Sequence, residues 1–174
     1  VVFLDGTTGG PITANTELRG LAVADGNADG SGLRGQQGGG LYCNGMGSGN
    51  ECSPLLAGMT FRDNTAQILS PGNFSPNGGA IVNRGTDGGT SSPRIVNSVF
   101  VENEAVSWGG AIFNDGKGGT SSPRITNCLF FNNTAGGKAG AVYSNGNGGT
   151  SSPSIVSTTF VNNNASDGGA LYNT

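Results

Sequence analysis

Gly-Gly-Thr-Ser-Ser-Pro stands unchanged at 88–93, 118–123 and 148–153, so the chain advances in steps of 30 residues. A fixed period of that size marks a repeat architecture. The match runs past the hexapeptide. Seven residues after each proline comes a phenylalanine (Phe100, Phe130, Phe160), three later an asparagine (Asn103, Asn133, Asn163), and two later an alanine. An older copy precedes them in Pro54, Phe61, Asn64 and Ala66. Each period also holds a small-small-small-aliphatic step, ending at Leu41, Ile81, Ile112, Val142 and Leu171. The first period is the most degraded, with Val2-Phe3-Leu4-Asp5 over the first strand and Leu18 to Val23 over the segment that elsewhere ends in phenylalanine.

Two helices could fill such a period, but 34 glycines in 174 residues and asparagine-rich turns disfavour helix. The apolar runs are short and bounded by Gly, Asn, Asp and Ser, as strands are. The fold expected is all-β: one right-handed parallel β-helix spanning 1–174, with three short strands per coil. Coils begin near residues 1, 38, 78, 109 and 139, with an incomplete sixth at 168–174, and handedness follows the crossover rule for parallel strands. Pro54 to Pro93 is longer than the later intervals, which places an insertion over Gln67 to Asn77 outside the wall.

Three residues before each phenylalanine position lie Gly20, Gly58, Asn97, Asn127 and Ser157. Glycine and asparagine tolerate the left-handed backbone region, so a one-residue corner there flips side-chain parity and sends both Ile95 and Phe100 inward. In register, Phe61, Phe100, Phe130 and Phe160 form an interior ladder, each buried ring contributing roughly 1.5–3 kcal/mol. Asn64, Asn103, Asn133 and Asn163 form a second ladder whose amides bond from coil to coil. Residues repeated in every coil read as structural, since they cannot all be one active site.

Phe-x-x-Asn paired with Gly-Gly-Ala-aliphatic resembles the repeat of the polymorphic outer membrane proteins of chlamydiae and similar secreted β-helix proteins. The residues carrying it are Phe61/Asn64, Phe100/Asn103, Phe130/Asn133, Phe160/Asn163 and the steps at 78–81, 109–112 and 168–171, with Gly140-Ala141 as a partial copy. The resemblance covers about 38–174. It implies an extracellular, surface-displayed β-helix used in adhesion, without chemistry in the repeats.

Composition bounds the partners. A net charge of −3 argues against nucleic acid and anionic membrane surfaces. No apolar run reaches the length of a membrane span. Cys43 and Cys52 flank a glycine-rich loop of eight residues and are expected to form a disulfide, which implies an oxidising compartment. Cys128, in the repeat strand with Ser98 and Thr158 nearby, is expected to be a free, half-buried thiol. With no histidine, a zinc site finds no ligands. Asp25, Asn27 and Asp29 imitate the opening of a calcium loop, but Gln36 stands where the bidentate Glu belongs, so they read as a repeat-derived turn. No cofactor and no metal is expected.

Parallel β-helices also house polysaccharide lyases and glycosidases, which need converging acids, or calcium with a base. Here only Asp63 and Glu102 form a close column pair of carboxylates. Arg94 and Arg124 share a column that reads first as a solvated pair and second as a contact for acidic sugars, and Trp108 stands at a turn as an exposed ring that could stack on a sugar but needs no function. The leading reading is a non-catalytic structural or adhesive surface protein, with a glycan or host surface as ligand. A polysaccharide-active enzyme or carbohydrate-binding module is the alternative. Opening and closing strands without polar caps point to self-association head to tail into fibres, or to continuation of a longer solenoid.

Overall fold

A computed structural model describes residues 1–30, 36–68 and 75–174. Its strands stack into four sheets, and every neighbouring pair is parallel. The first wall holds Val2–Asp5, Leu41–Asn44, Ile81–Arg84, Ile112–Asp115, Val142–Asn145 and Leu171–Asn173 in that spatial order. The second holds Glu17–Arg19, Leu55–Ala57, Arg94–Val96, Arg124–Thr126 and Ser154–Val156. The third holds Ala22–Ala24, Thr60–Arg62, Val99–Val101, Leu129–Phe131 and Thr159–Val161. Sequence neighbours within a coil lie in different sheets, and each strand pairs only with the coil before and after. That is a parallel β-helix.

The three-strand expectation is corrected to four. A fourth wall of two-residue strands, Asn27–Ala28, Thr65–Ala66, Glu104–Ala105 and Thr134–Ala135, follows a second left-handed corner. That corner is Asp25, Asp63, Glu102, Asn132 and Asn162, all near φ +54°. The first corner stands where expected, at Gly20, Gly58, Asn97, Asn127 and Ser157. The two corners stand five residues apart, so the third wall between them is only three residues long. The carboxylate pair Asp63 and Glu102 thus occupies a backbone corner.

Register fixes the columns. Leu41 pairs with Ile81, Ile81 with Ile112, and Ile112 with Val142, all buried. Ile95 and Phe100 both point inward, as the parity flip requires. The rings of Phe61, Phe100, Phe130 and Phe160 stack with centroids 5.1, 4.5 and 4.9 Å apart. In coil one, Val23 takes the place of phenylalanine.

Glycine is demanded where coils approach most closely. A Cβ at Gly79 would collide with the Gly110 carbonyl of the next coil, and one at Gly110 with that of Gly140. The small-residue step before each first strand is therefore steric. The expected insertion needs revision at its ends: Gln67 N–H donates to the Ala28 carbonyl, and Asn77 bridges Gln37 and Trp108, so both sit in the wall. Residues 69–74 of that span lie outside the described residues.

Candidate functional site

Asn64, Asn103, Asn133 and Asn163 follow directly on the second corner and turn their amides inward. Each Nδ2 donates to Oδ1 of the next coil at 2.9 Å, from Asn64 to Asn103, Asn103 to Asn133 and Asn133 to Asn163. The same oxygens accept the backbone N–H of the preceding asparagine. The second Nδ2 hydrogen goes back to the carbonyl of Val23, Phe61, Phe100 or Phe130. A fully satisfied buried amide row rigidifies and specifies register, and it leaves no group free for chemistry.

Cys43 and Cys52 form a disulfide, both fully buried. Cys128 is free, and it is buried rather than half-buried. Its thiol donates to the Thr126 carbonyl at 3.3 Å, just as the Ser98 hydroxyl donates to Val96 at 2.9 Å and Thr158 to Val156 at 3.0 Å. Cysteine stands in for a serine, and burial pushes its thiol pKa up, which makes it a poor nucleophile.

Several of the carboxylates are engaged by near neighbours. Glu17 pairs with Arg19 at 2.6 Å, and that hydrogen bond holds its pKa low. Asp63 pairs with Arg62 at 2.8 Å. Asp5 accepts from Asn44 at 2.9 Å and Asp115 from Asn145 at 3.1 Å. Burial is the main influence on Asp115 and raises its carboxyl pKa.

At the calcium-like segment, Gly26 N–H donates to Asn64 Oδ1 at 3.0 Å, and Asn27–Ala28 pairs with Thr65–Ala66. Asn27 Nδ2 donates to Asp29 Oδ2 at 3.0 Å. This is the fourth wall and the end of the asparagine ladder in one stretch. Residues 31–35 of the imitated loop lie outside the described residues.

Trp108 is corrected from an exposed ring to a packed one. It stacks on Tyr143 at 5.3 Å and lies 6.3 Å from Phe113. These rings belong to an outer row that sequence reading missed. Side chains alternate along the first wall, so Tyr42, Val82, Phe113, Tyr143 and Tyr172 form a column outside the prism, opposite the Leu41 column inside. Lys138 closes the row, its Nζ donating to the Tyr172 hydroxyl at 2.9 Å and lying 4.2 Å from that ring's centroid. The signal was there in the residue after each aliphatic of the glycine step. Ring faces occupied by one another are unavailable to a sugar.

Arg94 and Arg124 are register partners on the outer surface of the second wall, and both are exposed. Beside them, Asn97 and Asn127 mark the first corner, where Asn127 Nδ2 donates to Asn97 Oδ1 at 2.8 Å. A groove of about 380 Å³ runs along this corner, lined by Asn97, Val99, Asn127, Leu129, Ser157 and Thr159 among others.

No helix among the described residues is long and apolar enough to cross a membrane. No curated protein and no solved structure matches the chain. Two segments do match a family model: 97–115, from the Asn97 corner through Phe100, Asn103 and the Gly109 step to Asp115, and 157–174, the equivalent stretch two coils later. Over those segments, and in its stacked parallel coils, the chain is similar to the Chlamydia polymorphic membrane protein repeat.

Proposed function

We propose that this chain is a non-catalytic, surface-displayed β-helix segment whose role is structural and adhesive, in an extracellular or cell-surface setting. The observation that carries the reading is the chemistry of the repeated columns. Phenylalanine, asparagine and glycine recur because each coil must bond to the next, and the amides that could act on a substrate are saturated by one another. The family match to a membrane-protein repeat supports display at a surface. The disulfide supports an oxidising environment.

Adhesion of animal cells to the immobilised, oxidised chain tests this. Saturable binding that survives chelator, with no depolymerisation of polysaccharide substrates, is expected. Turnover of a polysaccharide would replace the reading with the enzymatic one. Head-to-tail stacking is the second reading, favoured by exposed Phe3, Leu21 and Leu171 beside outer strands of the sheets. Light scattering separates a second copy at those edges, which gives filaments growing with concentration, from a further coil of the same polypeptide, which leaves monomers.

A further inference from the structure

The second and third walls of coils two to five read Leu-Leu-Ala, Arg-Ile-Val, Arg-Ile-Thr and Ser-Ile-Val, then Thr-Phe-Arg, Val-Phe-Val, Leu-Phe-Phe and Thr-Phe-Val. Those strands contain no carboxylate. A chain with net charge −3 therefore carries two adjacent cationic side chains here, Arg94 and Arg124 on the second wall. Arg94 and Arg124 have no ion-pair partner among the described residues, unlike Arg19 and Arg62. Like charges directly opposite one another across a strand pair are unfavourable. Two arginines whose Cα atoms stand one strand separation apart, about 4.8 Å, are relieved by an anion that bridges or follows their guanidinium groups.

The groove at the Asn97 and Asn127 corner, three residues along the chain from each arginine, supplies the rest of a binding surface. Asn97 and Asn127 satisfy each other through one hydrogen bond, which leaves an amide donor on Asn97 and a carbonyl acceptor on Asn127 at the exposed corner. Val99, Leu129 and Thr159 form a shallow apolar side. A sugar ring has matching parts: C–H faces for the apolar side, hydroxyls for the amides, and a carboxylate for arginine.

We propose that this corner of coils three to five binds a linear anionic polysaccharide, carrying one carboxylate per ring and lying along the prism axis. The groove chemistry favours it over the other polyanions: the free amide groups of Asn97 and Asn127 and the apolar sides of Val99 and Leu129 match a sugar's hydroxyls and C–H faces, which an acidic peptide does not present together. Single-stranded nucleic acid binds by stacking on aromatic faces, and no aromatic ring lines the groove. The inference rests on the adhesive reading and names a ligand for it.

Calorimetric titration of the full oxidised chain with oligogalacturonate tests the site, with the fully methyl-esterified oligomer and polyglutamate as controls. Oligogalacturonate is expected to bind with an affinity that falls as salt rises, and both controls at least tenfold more weakly. Arg94→Ser with Arg124→Ser should lower affinity at least tenfold. Serine already occupies this column at Ser154, so the double variant keeps the fold, checked by its melting temperature. Asn97→Ser, copying Ser157 at the same corner, should cost severalfold. Unchanged affinity in the double serine variant, or equal binding of polyglutamate, overturns the proposal. A chain that binds cells yet ignores millimolar oligogalacturonate overturns the ligand and leaves the adhesive reading standing.

Discussion

Where the first wall turns toward the second, the interior corner of coils one and two differs from that of coils three to five. Register stacks Leu4, Cys43, Asn83, Asn114 and Ser144 in one column. The facing column runs Ile12, Cys52, Ser91, Ser121 and Ser151. The corner thus passes from an aliphatic pair, through a disulfide, to a polar row. In that row Asn83 donates to Asn114 at 2.8 Å, and Ser121 and Ser151 donate to the serine carbonyls of the coils before. Asn83 Oδ1, facing the disulfide coil, is buried without a partner. The late coils repeat at 31, 30 and 29 residues and are held by contacts that each coil reproduces. The early coils are longer, at 39 and 40 residues; coil one has a valine for the ring and a glycine for the amide, and coil two carries a covalent staple within itself. Repetition and cross-linking thus stabilise two halves of one prism.

The largest effect that would sharpen this contrast lies in the phenylalanine stack. Phe130→Ala removes a ring packed on both faces and should cost about 3–5 kcal/mol by urea denaturation. Val23→Ala, at the same column in coil one but half-exposed, should cost about 1 kcal/mol. Equal losses would break the comparison.

The asparagine ladder comes next. Asn133→Ala strands the N–H and Nδ2 of Asn103 and the Phe100 carbonyl, which should cost about 3 kcal/mol. Asn64→Ala strands Gly26 N–H and the Val23 carbonyl, both partly solvated, and should cost about 1 kcal/mol.

Replacing Cys43 and Cys52 by serine opens a short loop and should cost about 2–3 kcal/mol. The loss should be smaller than for the double alanine variant, because Ser144 and Ser151 already form this corner in coil five and a serine at 43 offers Asn83 Oδ1 a donor. A thermal melt of both variants reads the difference.

Asp115 gives the smallest effect. Burial raises its carboxyl pKa above the ordinary value, so the folded chain holds that proton more tightly than the unfolded one. The stability this contributes is present at low pH and is lost as pH rises through the folded-state pKa. Asp115→Asn, the residue its column carries at Asn44 and Asn145, should therefore stabilise by under about 1 kcal/mol at neutral pH. The gain should vanish in acid.

Much of this was legible because a solenoid turns sequence period into spatial column. Phenylalanine and asparagine announced themselves by recurring, and Asn97 and Asn127 by tolerating a backbone few other residues accept. The second corner escaped notice because Asp25, Asp63, Glu102, Asn132 and Asn162 share a conformation without sharing a residue type. The outer aromatic row escaped because Val82 interrupts it and Trp108 joins from a different part of the coil. At Cys128 the column was read correctly and the depth was not, since a thiol there is hidden by the neighbouring coils. The groove at the Asn97 and Asn127 corner could not be read at all, because a concavity depends on how two walls meet.

Residue-resolved amide hydrogen exchange on the intact, oxidised chain is the most direct test of coil-to-coil stacking as the source of stability. The N–H groups of Asn103 and Asn133, each bonded to the amide oxygen of the next coil, should be the slowest to exchange. Protection should fall toward Val23 and Gly26 in coil one even with the disulfide formed. Protection that peaks around Cys43 and Cys52 and fades through coils three to five would contradict it.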